Sequence, residues 1–301
     1  MKKLITIIFA IVFANNSSIF AEDLSIAWET ETIFKLPESV IYDKKNDLLY
    51  VSNIANHPFK KDGSGFISKV NMQGEILELE WIKNLNAPKG LTIVPASKPE
   101  EGDKLFIADV DELVEVDIDT AKIVNKHKAS GSVCMNDVTH DKYGNVYVGD
   151  TYTDSIYRLN SFGQLPIWFY SPGLAPNGLH IDNETGKMIV GFWGAVMQGW
   201  GTPELSGSLK SIDLNTKKLK DLGKKPIGNL DGIESDGKGS YYVTDWSKTE
   251  LYKIKKSGSA QMIKKLGDDG KGAADHEVIL DKNLMVIPIM VENKLIALNI
   301  N

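Results

Sequence analysis

Six polar side chains, Glu38, Lys89, Asn136, Asn177, Asp231 and His276, occupy the same place in six similar segments, with successive separations of 51, 47, 41, 54 and 45 residues. Two carboxylates and two side-chain amide carbonyls drawn from different segments would make an oxygen-rich pocket. Such donors suit hard divalent cations, calcium most of all, with zinc, magnesium and manganese as the other candidates. Carboxylates held together repel unless a cation or a proton neutralises them. Lys89 offers a point charge for a substrate carboxylate or phosphate, or else pairs with Glu38 or Asp231 and weakens a metal site. His276 offers a further ligand, a proton carrier near neutral pH, or a hydrogen-bonded wall residue. A single Asn or Asp in a turn commonly just bonds nearby backbone. The common register of all six is what points to a shared site.

The elements that would position these residues are short β-strands. Each segment runs from a turn through the polar residue into an apolar stretch, then a turn, then a second β-rich stretch: PESVIYDKKNDLLYVSN, PKGLTIVPASKPEEGDKLFIADV, MNDVTHDKYGNVYVGDT, PNGLHIDNETGKMIVGFW, LDGIESDGKGSYYVTDW and DHEVILDKNLMVIPIM. A third β-run follows in every copy and a fourth in five of them, among them EILELEWI and AQMIKKL. Val, Ile, Tyr and Leu fill these runs, and Gly, Asn and Asp separate them. The fourth strand missing from the last copy is available in LSIAWETETIF near the N-terminus. Repeats of about 47 residues with four strands each predict an all-β, six-bladed β-propeller with antiparallel blades, the last closed by the N-terminal strand. In that arrangement the six polar residues meet at one mouth of the central channel. The loops between second and third strands form its rim, and two of them are long: residues 53–65 and 193–207. Trp193, Met197 and Trp200 in the second would supply an apolar lid or pack on neighbouring blades.

Met1 to Ala21 reads as a secretory signal: Lys2 and Lys3, then an apolar run of 11 residues from Leu4 to Ala14, too short to cross a bilayer comfortably. The expected layout is therefore a signal over 1–21 and one propeller domain over 22–301, periplasmic or secreted, with no membrane association after cleavage. A net charge of −6 and pI near 5.5 argue against nucleic acid as a partner. The lone cysteine, Cys134, excludes a disulfide framework and a thiolate zinc cluster. The acidic run 109–119 lacks the glycine and terminal glutamate of an EF-hand loop, and GDDGKG (267–272) is not followed by the Ser or Thr of a phosphate loop.

With these motifs in register the chain resembles the senescence marker protein (regucalcin), gluconolactonase and luciferin-regenerating enzyme family. The resemblance rests on Glu38 in LPESV, Asn136-Asp137 in MNDVTHD, Asn177-Gly178-Leu179 in APNGLHID and Asp231-Gly232 in LDGIESD. It implies a divalent metal held by Glu38, Asn177 and Asp231. It also implies that Asn136 reaches a metal-bound water or the substrate, and that Asp231 acts as general base in lactone hydrolysis. Cys134 stands where sugar-lactone members of that family often carry an arginine.

The expected function is an exported, metal-dependent hydrolase of gluconolactonase-like type acting on a small lactone, ester or phosphoester. In it Asp231 or His276 takes the proton from the attacking water, while Asn136, Lys89, Trp193 and Trp200 contact the substrate. The alternative is a non-catalytic propeller that binds a small ligand or a protein through its rim.

Overall fold

The computed structural model describes residues 24–98, 101–194, 206–223 and 226–300. The signal predicted over 1–21 lies outside them, as do Met197 and Trp200. Twenty-four strands, β1 to β24 in chain order, form six four-stranded antiparallel sheets among the described residues. Five sheets take their strands consecutively. The sixth is closed by β1 (Ile26–Glu29), which pairs with β24 (Lys294–Asn299) from the other end of the chain. The ring thereby covers two edges that would otherwise be open to pairing with other chains.

One hydrophobic cluster fills each gap between neighbouring blades. Tyr50 and Ile67 of the first blade pack with Leu105 and Ile107 of the second; Phe106 and Ala108 of the second pack with Val146 and Val148 of the third. The last gap joins Leu49 and Val51 to Val286 and Leu295. Alternate residues of each second strand thus face opposite neighbours, so both faces are buried. This is why VYVG, MIVGF and LMVIPI read as continuous apolar runs and not as alternating ones.

The innermost strands are β2 (Pro37–Asp43), β6 (Pro88–Val94), β10 (Met135–His140), β14 (Pro176–Asp182), β18 (Leu230–Ser235) and β22 (Glu277–Ile279). Each of the first five opens with an apolar residue, and the polar residue of the repeat stands second. At that point the pairing slips by one. Pro37 pairs with Asn53 and Val40 with Val51, three residues against two. The same offset occurs after Pro88, Met135, Pro176 and Leu230. In the last blade Ala273 bridges Ile289 and Glu277 pairs with Val286, four residues against three. A bulge of this kind bends the strand and re-aims the extra side chain. In the first five blades the bulge falls at the polar position and turns what would be a ladder residue toward the channel; in the last, Ala274 stands second after the bridge and His276 two residues further on.

The close approach of inner strands is visible at Gly178. A Cβ placed there would lie 1.7 Å from the carbonyl oxygen of Asp231. Any side chain at 178 must push apart the strands that carry Asn177 and Asp231. Gly178→Ala is expected to cost about 1–3 kcal/mol through overpacking, read as a fall of several degrees in Tm by thermal denaturation. An unchanged Tm would mean that these strands are not so tightly apposed.

Candidate functional site

Carboxylates at the ends of second strands fix where the chain enters each inner strand. Asp109 accepts hydrogen bonds from the backbone N–H groups of Asn86 (2.9 Å) and Ala87 (2.7 Å), just ahead of Lys89. Asp150 accepts from Val133 (2.7 Å) and Cys134 (3.2 Å), just ahead of Asn136, and from the Ser132 hydroxyl (2.6 Å). Asp245 accepts from the N–H of Asn229 (3.4 Å), ahead of Asp231. These acids sit near the rim in sequence, but they hold the loops that aim the channel residues.

The inner strands and rim loops enclose a cavity of about 100 Å³ at one mouth of the channel. Five of the six repeat residues line it: Glu38, Lys89, Asn136, Asn177 and Asp231. A second tier comes from the residues just after second strands: Ile54, Tyr152, Trp193, Trp246 and Met290. Pro58 and Phe59 of the first long rim loop complete it. Phe59 meets Tyr152 edge-on at 5.0 Å between ring centroids, and Trp193 lies 5.9 Å from Trp246. Of these apolar residues the sequence points to Trp193, beside Met197 and Trp200, which lie outside the described residues. The signal for the rest was the same repeat register, read one strand later.

Glu38, Asn177 and Asp231 are 5%, 1% and 4% exposed, and Glu38 Oε2 and Asn177 Oδ1 accept no hydrogen bond among the described residues. Buried polar atoms without partners are rare and call for an explanation. Burial, then the charge of Asp231, pushes the Glu38 carboxyl well above its usual range. Burial, then the charges of Asp275 and Asp245, does the same for Asp231. Asp275 lies one strand over, accepts the Ser39 hydroxyl at 2.6 Å, and is pushed up to about 7, chiefly by burial. Oxygen ligands of mixed carboxylate and amide type, short of hydrogen bonds and mutually repelling, fit a hard divalent cation. Among the described residues no group of three His, Cys, Asp or Glu side chains suits an ion; the set here depends on amide oxygens beside the two carboxylates.

Lys89 lines the cavity, but its ammonium donates to the backbone carbonyls of Pro58 and Ala87, both at 3.0 Å. No ion pair links it to Glu38 or Asp231 among the described residues, so neither carboxylate is taken by it directly. It instead ties the rim loop at Pro58 to the start of β6. His276 is not in the cavity lining. It is 1% exposed and packs against Gly232, where a Cβ would lie 2.6 Å from its Nδ1. Neither ring nitrogen has a hydrogen-bond partner among the described residues, and burial pushes its pKa down to about 4. The sequence groups it with the other five by aligning DHEV with the other strand starts, but Ala273 bridges Ile289 as Pro37 pairs with Asn53, so Ala274 holds the equivalent position. His276 lies two residues further along the strand, outside the cavity lining. Cys134 does line the cavity, 3% exposed, its thiol pushed up to about 12 by burial.

The chain is thus a six-bladed β-propeller with a polar site at one channel mouth. No family model matches it, and no curated protein matches it either. Solved structures share the fold. A streptogramin B lyase is 15% identical with a TM-score of 0.60, covering 93% of this chain and 97% of that one. A catalytically inactive virginiamycin B lyase from Staphylococcus aureus, with quinupristin, is 12% identical with a TM-score of 0.57, covering 88% and 95%. The hydrazine synthase of Kuenenia stuttgartiensis is 12% identical with a TM-score of 0.60, covering 86% and 75%. At these identities the likeness is one of fold, and the site residues carry the functional argument.

Proposed function

We propose that the chain is an exported hydrolase, dependent on a divalent cation, that opens a small lactone, ester or phosphoester at the channel mouth. The observation that carries this reading is the pair of buried, unpartnered oxygens, Glu38 Oε2 and Asn177 Oδ1, on a cavity that Asp231 also lines. Glu38, Asn177 and Asp231 would hold the cation, calcium by its preference for such oxygens. When bound, it supplies Lewis-acid polarisation of the scissile group and favours ionisation of water.

The chain's own groups do the rest. Asn136, half-buried on the cavity wall, offers an amide to orient the substrate carbonyl or the attacking water. Asp231 takes a proton from that water as its oxygen bonds to the acyl or phosphoryl centre, and returns it to the leaving oxygen as the old ester bond breaks. The Asp231 carboxylate lines the cavity where that water would stand, which places it to accept the proton. His276, outside the cavity lining, is assigned no part in this transfer. Export rests on the segment 1–21, which secretion of the full chain with N-terminal sequencing of the product would test.

The decisive assay uses purified protein stripped of metal by chelation, then replenished with calcium, against a panel of lactones, carboxylic esters and phosphoesters. Turnover that disappears on stripping and returns with calcium is expected. Full activity in the stripped protein would overturn the proposal. Saturable ligand binding with no turnover of any class would favour the binding propeller.

A further inference from the structure

We infer that the substrate carries an apolar body, alkyl or aryl, beside its hydrolysable group, and is not a polyhydroxylated sugar lactone. This rests on the hydrolase reading above and names the substrate class for the same site. The observation is the division of the cavity into two tiers of different chemistry. The strand tier is acidic and amide-lined. The loop tier is built from Phe59, Tyr152, Trp193, Trp246 and Met290, with two aromatic contacts between different blades.

A polyol needs donors and acceptors for each of its hydroxyls, and burying one without a partner is costly. Several donors on this wall are already engaged. The Lys89 ammonium donates to Pro58 and Ala87. The Thr151 hydroxyl donates to the Pro176 carbonyl at 2.9 Å, and the Trp246 indole N–H to the Met290 sulfur at 3.3 Å. Cys134 presents a neutral thiol, a weak donor. Glu38 and Asp231 are acceptors, and the cation claims them. An apolar substituent, by contrast, gains the full benefit of leaving water against aromatic rings and a thioether. Lys89 contributes by holding Pro58, and hence the neighbouring Phe59, against the start of β6.

The test compares three δ-lactones with the same six-membered reacting ring: δ-valerolactone, its phenyl-substituted derivative, and glucono-δ-lactone. The whole protein is assayed in calcium. The phenyl compound is expected to exceed the unsubstituted ring in kcat/KM by about tenfold to a hundredfold, mainly through KM, and glucono-δ-lactone to fall below both. Trp193→Ala and Phe59→Ala should each shrink the phenyl-to-unsubstituted ratio by about tenfold. A second measurement does not depend on turnover. Quenching of tryptophan fluorescence by the ring-opened phenyl hydroxy acid should report a Kd at least tenfold below that for gluconate. Glucono-δ-lactone turned over as well as the phenyl compound would overturn the substrate inference and leave the hydrolase standing. No turnover of these lactones would leave the hydrolase reading to the ester and phosphoester panel, and the binding arm would still decide the inference: equal or tighter binding of gluconate defeats it.

Discussion

Asp231→Asn is expected to lower kcat/KM for lactone or ester hydrolysis by about a thousandfold or more while raising the stability of the cation-free protein. The loss has two sources. The amide cannot accept the proton from the attacking water, a contribution of about 10²–10⁴ on its own. It also removes one of two anionic ligands from the proposed cation site. The gain comes from electrostatics: Asp231 is buried and raises the pKa of Glu38, and is itself opposed by Asp275 and Asp245. Replacing one charge with a neutral group of the same shape relieves that repulsion. Activity in calcium buffer and Tm in chelator should therefore move in opposite directions. A residue that served only the fold would lower both. Turnover within tenfold of the parent would remove Asp231 from the chemistry.

Glu38, Lys89, Asn136, Asn177 and Asp231 could be found from the sequence because one structural unit repeats, and residues in the same register of a propeller converge on one axis. The same logic placed LSIAWETETIF in the last sheet, where β1 does pair with β24. Register alone does not set where a side chain points. The bulge between Pro37 and Val40, and its five counterparts, is a property of pairing between strands. No local motif announces it. His276 lies outside the cavity lining because Ala273 takes the place of Pro37, bridging Ile289 at the end of the second strand, so that Ala274 stands second and His276 two residues further along. Lys89 is similar: its partners, the carbonyls of Pro58 and Ala87, depend on how a long loop folds back over the next blade. Backbone acceptors have no sequence signature. The apolar tier was legible in principle, since Ile54, Tyr152, Trp193, Trp246 and Met290 all follow second strands. Aromatic residues after strands are common, so the sequence marks only the long loop's Trp193, Met197 and Trp200 and not the other members of this tier.

Calcium is expected to stabilise the protein, and to do so more at pH 8 than at pH 5. A ligand at a hundred times its Kd adds about 2.7 kcal/mol, which for a chain of this size is a rise of several degrees in Tm. The pH dependence follows from the shifted carboxyls. Glu38 and Asp231 lie well above their usual range, and Asp275 at about 7. A carboxyl whose pKa is raised by folding supports the fold below its unfolded value, near 4, and loses that support as pH climbs through the folded value. The cation-free protein should therefore weaken from pH 5 through pH 7. His276 acts in the opposite sense: its folded pKa is near 4, so its contribution is present above the unfolded value and is lost as pH falls toward 4. That loss falls between about pH 6.5 and 4, so from pH 5 to 6.5 this one imidazole offsets part of the trend set by the three raised carboxyls, and above pH 6.5 the carboxyls act alone. Binding a cation requires Glu38 and Asp231 to be ionised, so it must displace protons where they are held. Calcium affinity should consequently rise with pH, and titration calorimetry in two buffers of different ionisation enthalpy should report proton release near pH 7. Thermal melts in calcium and in chelator at pH 5, 6.5 and 8 should show a widening gap. A gap absent at pH 8 would mean that the unpartnered oxygens of Glu38 and Asn177 are met by something other than a cation, and the case for Lewis-acid chemistry at this mouth would fall with it.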